Sequence, residues 1–162
     1  MPVIDVSTNP DDRSIVITAE FAAPLARVWQ LYADPRQLER VWGPPTHPAT
    51  VVEHALTPGG RVLYYMTGPE GEKYYGGWRV LAVDEPNGFT FEDFFADEEF
   101  RVRSDLPVST NTYAFEAAGA GTRATFSSTY ETAEALAQVL EMGMEEGATL
   151  AINQIDALLA EG

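Results

Sequence analysis

Asp93 is where chemistry would first be sought in this chain. It stands in Phe89-Thr90-Phe91-Glu92-Asp93-Phe94-Phe95, and alternate residues of an extended strand point the same way. A regular strand would therefore set a carboxylate on the face of Phe89, Phe91 and Phe95. Burial without a counter-charge raises a carboxyl pKa, and such groups exchange protons or hook a ligand's polar end. A bulge would instead swing Asp93 to solvent, and both geometries are open at this stage. Tyr113, in the alternation Asn111, Tyr113, Phe115, is the tyrosine with which Asp93 could share proton transfer to a bound molecule.

Other arrangements are weaker. His47 and His54 are the only histidines, and Glu53 beside His54 faces the opposite side of a strand, so no metal site is expected. No Gly-x-Ser-x-Gly elbow is present, which disfavours a serine hydrolase. Gly59-Gly60 and Gly76-Gly77 lack the Lys-Ser/Thr and the strand-loop-helix setting of a phosphate loop; they read as a turn and a strand irregularity. Arg61, Arg79, Arg101 and Arg103 could each pair with a ligand carboxylate, or with the many surface acids.

The composition narrows the function classes. Ten basic against 25 acidic residues give a net charge of −15, which repels nucleic acid and anionic membranes. Cysteine is absent, so thiol redox chemistry, disulfides and thiolate metal sites are excluded. With no apolar run long enough for a span and no leader pattern, the expectation is a soluble cytoplasmic protein without membrane insertion. The 162 residues suit one domain, with residues 1–12 as a loose extension.

The elements that must position Asp93 follow from periodicity. Ser14 to Phe21 alternates as a half-buried strand. Pro24 opens a helix carrying Leu25, Val28, Trp29 and Tyr32 on one face, Asp34-Pro35 ends it, and a second short helix runs from Pro35 to Val41. Turn chemistry at Pro58-Gly59-Gly60, Gly68-Pro69-Glu70-Gly71, Glu85-Pro86-Asn87-Gly88 and Gly119-Ala120-Gly121 separates strands over 50–56, 61–67, 73–84, 89–96, 108–117 and 122–131. Together these predict an α+β protein with a seven-stranded antiparallel meander. Residues 133 to 160 then form a long amphipathic helix, interrupted by Gly143-Met144-Glu145-Glu146-Gly147. Two glycines there ask for close packing of the helix on the sheet, for a kink, or for space beneath the helix.

This order of elements resembles the activator-of-heat-shock-protein-ATPase-like branch of the helix-grip superfamily, which includes START lipid-transfer domains, polyketide cyclases and the birch pollen allergen. The resemblance is carried by Phe21-Ala22-Ala23-Pro24 into Val28-Trp29, Val41-Trp42-Gly43-Pro44, Met66-Thr67-Gly68-Pro69-Glu70-Gly71-Glu72, Gly77-Trp78-Arg79-Val80, Phe89-Thr90-Phe91-Glu92-Asp93 and Met142-Gly143-Met144-Glu145-Glu146-Gly147. It implies a curved sheet gripping the C-terminal helix around an apolar cavity. Trp42 is similar to the family's tryptophan near the cavity opening. Trp42, Tyr64, Met66, Tyr75, Trp78, Phe91, Tyr113 and Met144 are accordingly expected to line or close the pocket around a small apolar or amphipathic molecule, with no cofactor required. The resemblance also supplies two alternatives: a module acting on a heat-shock chaperone, and a cyclase- or dehydratase-like enzyme using Asp93 and Tyr113.

Overall fold

The computed structural model describes residues 2–161. Eight antiparallel strands form one sheet in the order β1-β2-β8-β7-β6-β5-β4-β3. They are β1 (Val3–Asn9), β2 (Ser14–Phe21), β3 (Ala49–His54), β4 (Arg61–Thr67), β5 (Lys73–Asp84), β6 (Gly88–Ala96), β7 (Ser109–Ala118) and β8 (Gly121–Tyr130). Two helices, α1 (Leu25–Ala33) and α2 (Pro35–Trp42), carry the chain from β2 to the opposite edge of the sheet, and α3 (Ala133–Glu141), α4 (Met144–Asn153) and α5 (Ile155–Leu159) close it. This is the α+β helix-grip architecture. Among the described residues no helix is long and apolar enough to cross a membrane.

Local chemistry explains the helix boundaries. Pro35 cannot continue α1, and the Asp34 side chain accepts the Arg36 N–H at 2.9 Å, so Pro35 stops α1 while Asp34 caps α2. Val28, Trp29, Leu31 and Tyr32 of α1 are buried, and the Tyr32 ring stacks 5.5 Å from Phe115 of β7. Apolar burial of this kind is the main force holding a helix on a sheet.

Two expectations require correction. The loose extension expected over residues 1–12 begins outside the described residues, and from residue 2 on it is not loose: Val3 to Asn9 pair with β2, which makes the sheet eight-stranded instead of seven. An edge strand is held by backbone hydrogen bonds and needs little apolar alternation, so Asp5, Ser7, Thr8 and Asn9 gave no signal. The C-terminal segment is likewise three helical pieces. Gly143 takes φ +81°, a left-handed conformation that ends α3, and α4 begins one residue later. The edge strand fixes α4 in place, since Asn153 accepts the Val3 N–H at 3.1 Å and Glu145 accepts the Thr8 hydroxyl at 2.6 Å.

Candidate functional site

A cavity of about 280 Å³ lies between α4 and the concave face of the sheet. Ile15, Ile17, Val41, Phe126, Val139, Ala148, Ala151 and Ile152 supply apolar wall, and Met142 and Met144 close it from the helical side. Gly143 and Gly147 border the same space, and a Cβ built on either meets no atom within 4 Å. The volume sits near the low end of ligand sites, about 300–1,000 Å³. Side chains do not fill the space beneath the helix.

Two carboxyl groups border this cavity, Glu145 on α4 and Asp93 on the sheet. Asp93 of β6 pairs in register with Trp78 on one side and Ser109 on the other, so its side chain faces inward with Phe89 and Phe91. The irregularity falls on β5 instead, between Val80 and Ala82, where Leu81 is pushed outward and nearly half exposed. That bulge lets Val83, Val80 and Trp78 all face the interior despite their mixed numbering. Part of Asp93 opens on the cavity, yet protein surrounds it, and desolvation raises its pKa to about 7.

The hydroxyl of Tyr64 donates to Asp93 Oδ1 at 2.9 Å and partly offsets that rise. Tyr64 can lie this way because Gly76 is its direct partner on β5: a Cβ at Gly76 would come within 2.6 Å of the Tyr64 hydroxyl. The Gly76-Gly77 pair is therefore a regular part of the ladder, correcting the strand irregularity expected there. Burial, and then the charge of Asp93, push the Tyr64 phenol well above its ordinary value. The Trp42 indole comes near enough to Tyr64 to act on that phenol, but without hydrogen-bond alignment, and its buried Nε1 has no partner among the described residues. Their rings are 5.7 Å apart.

A second polar patch continues from Asp93 across β7 and β8. Asn111 is buried; its Nδ2 donates to Ser109 Oγ at 3.0 Å and its Oδ1 accepts the Ser128 hydroxyl at 2.6 Å. Both serines border the cavity, as does Tyr130, whose phenol is raised mainly by burial. The cavity is thus two-sided: methionine and aliphatic surface under α4, hydrogen-bonding groups on the sheet.

Of the residues proposed from sequence, Trp42, Tyr64, Met66, Tyr113 and Met144 border the cavity. Tyr75 reaches its margin, although its ring packs 5.8 Å from Tyr65 and 5.4 Å from Phe100. Trp78 and Phe91 do not line it: both are fully buried behind Trp42, their rings 4.3 Å apart, and form solid core. Asp93 is hydrogen-bonded to Tyr64 and not to Tyr113, which acts on it only through space. His54 is occupied structurally, its Nε2 lying 2.8 Å from the Tyr32 carbonyl. Sequence reasoning missed the Ser109–Asn111–Ser128 cluster, whose signal was three small polar residues on inward positions of adjacent strands.

A family model described as Activator of Hsp90 ATPase homolog 1-like protein matches residues 22–160. The crystal structure of protein Ms6760 from Mycobacterium smegmatis is similar at 65% identity, with 98% of this chain and 97% of that one covered and a TM-score of 0.91. A solution structure of an Arthrobacter aurescens protein is 46% identical over 99% of this chain and 93% of that one, with a TM-score of 0.95. The AHSA1 protein of Silicibacter pomeroyi, at 22% identity, 91% and 97% coverage and a TM-score of 0.73, shares the fold. No curated protein matches the chain.

Proposed function

Since the chain belongs to the Activator of Hsp90 ATPase homolog 1-like family, we propose that it uses the family's helix-over-sheet architecture to bind a small apolar or amphipathic molecule beneath α4. The observation that carries this reading is the cavity itself, of about 280 Å³ and walled largely by Met, Ile, Val and aromatic side chains. A ligand burying about 200 Å² of apolar surface there would gain roughly 5 kcal/mol before the cost of association is subtracted. Affinities for small fragments should therefore fall in the weak range, and saturating a site at about 100 times its Kd should stabilise the fold by about 2.7 kcal/mol. At roughly 2–4 °C per kcal/mol for a chain of this size, thermal unfolding would show that readily.

The test is a thermal-shift series of small aromatic and aliphatic compounds against wild type and Gly147→Leu, which extends a side chain into the space. Stabilisation of wild type that Gly147→Leu abolishes supports the reading. Absence of any shift across the series, or equal shifts in the two proteins, would overturn it. The family description also carries a chaperone-directed reading, in which the outer surface acts on a heat-shock ATPase. That reading draws on the description alone, and altered chaperone ATP turnover on adding the protein would establish it.

A further inference from the structure

The charges around the cavity say what kind of polar end a ligand should have. Among the described residues no Lys, Arg or His borders the cavity, whereas two carboxylates do, Asp93 on β6 and Glu145 on α4. Arginines elsewhere pair with exposed acids, as Arg61 with Glu53 and Arg103 with Asp105, but Asp93 has no cationic partner among the described residues. Its Oδ1 is held by Tyr64, and Oδ2 accepts no hydrogen bond among them. A ligand carboxylate would stand beside a like charge in a poorly solvated space, which is strongly unfavourable. A donor with positive charge would meet an oriented acceptor in a cavity that Trp42 and Tyr113 also border. The net charge of −15 would draw the same kind of molecule toward the protein and repel anions.

We propose that the polar end of the ligand is a protonated amine seated on Asp93, its hydrocarbon part lying under α4; this rests on the cavity-binding reading above. An ammonium donates to the open Asp93 oxygen while Tyr64 keeps the other, so both carboxylate oxygens are satisfied. Burial leaves Asp93 titrating near 7 without ligand, so pH becomes a handle on the interaction. The other titratable groups facing it are Tyr64 on β4, Tyr113 on β7, Tyr130 on β8 and Glu145 on α4. The three tyrosines are raised above ordinary phenols and stay neutral throughout this range. An alkylamine, with a pKa near that of lysine at about 10.4, stays charged.

The experiment is calorimetric titration with 2-phenylethylamine, 2-phenylethanol and phenylacetate, at pH 8 and pH 6, on wild type and Asp93→Asn. Wild type should bind the amine at least tenfold more tightly than the alcohol or the acid at pH 8. Going to pH 6 should weaken the amine about tenfold, because the ionised fraction of Asp93 falls by about that factor while the alcohol is unaffected. Asp93→Asn should erase both the preference and the pH dependence. If the alcohol or the acid binds as tightly as the amine, or if amine binding is flat with pH in wild type, the amine assignment is wrong while cavity binding stands. If none of the three binds but other apolar compounds give shifts lost in Gly147→Leu, the assignment again fails alone; if nothing binds at all, both readings fail. The pH profile of wild type decides the matter even if Asp93→Asn does not fold.

Discussion

Gly143 and Gly147 stand four residues apart, yet replacing each with alanine should move stability in opposite directions. At Gly147, inside α4, an added Cβ meets nothing within 4 Å. The substitution therefore keeps the whole advantage of alanine over glycine in a helix interior, about 1 kcal/mol, which includes the lower conformational entropy of the unfolded chain. At Gly143 the neighbourhood is equally open, but φ is +81°. A non-glycine residue held there costs about 1–2 kcal/mol from contact between its own Cβ and backbone. The two variants should thus differ by roughly 2–3 kcal/mol, with Gly147→Ala melting about 2–4 °C above wild type and Gly143→Ala below it by at least as much. Urea unfolding followed by tryptophan fluorescence gives the same quantities as shifts in midpoint at constant slope. A destabilised Gly147→Ala would mean that the helix is packed closed at that point and the cavity does not extend to it. A neutral Gly143→Ala would mean that the junction between α3 and α4 is not left-handed.

Three further outcomes follow from the Tyr64–Asp93 pair. The folded-state pKa of Asp93 is raised from 3.8 to about 7, so below about pH 3.8 both states hold the proton and Asp93 costs nothing. As pH rises through that window only the unfolded chain releases it, and the folded state loses up to about 4 kcal/mol by the time the pH exceeds 7. Asp93→Asn should therefore gain stability relative to wild type from pH 4 to pH 7 and keep that gain above, as read from urea midpoints; a constant difference across the range would contradict the buried assignment. Tyr64→Phe deletes the donor that holds the carboxylate form, so the Asp93 carboxyl resonance, followed by NMR, should titrate above pH 7; titration at or below the wild-type midpoint would refute the pairing. Gly76→Ala places a methyl group 2.6 Å from the Tyr64 hydroxyl and should cost about 1–3 kcal/mol through overpacking, with the Asp93 midpoint moved as well. Wild-type stability in this variant would show that the Tyr64 ring does not cross β5 there.

How far the site could be read from sequence depended on where register is simple. The turn at Gly68-Pro69-Glu70-Gly71 joins β4 and β5 without a bulge, and every pair across it is symmetric about Glu70, including Tyr64 with Gly76. The contact that lets Tyr64 lie across its neighbour was therefore readable, had the hairpin been counted outward from its turn. Asp93 was harder. Counting outward from the β5–β6 turn puts Asp93 opposite Arg79, an outward residue; the extra residue at Leu81 shifts β5 so that the inward Trp78 stands opposite Asp93 instead. Alternation within β6 pointed Asp93 inward, but pairing across to β5 without that bulge pointed it outward, and no residue type announces the bulge.

The aromatic residues divide for a related reason. Trp78 and Phe91 carry the same alternation signal as Tyr64 and Tyr113, yet the first two are sealed and the last two face the void. What separates them is Trp42, brought down by α2 to within 4.7 Å of Trp78. Strand periodicity reports which face of a sheet is inward and says nothing about which part of that face a helix from elsewhere covers. Trp42 at the end of α2 borders the cavity, and β1 holds α4 over the sheet through Thr8–Glu145 and Val3–Asn153. Both are contacts between segments distant in sequence. They leave the polar half of the inner face, from Tyr64 through Asp93 to Ser128, uncovered beneath α4, the stretch of wall where a guest can make directional bonds.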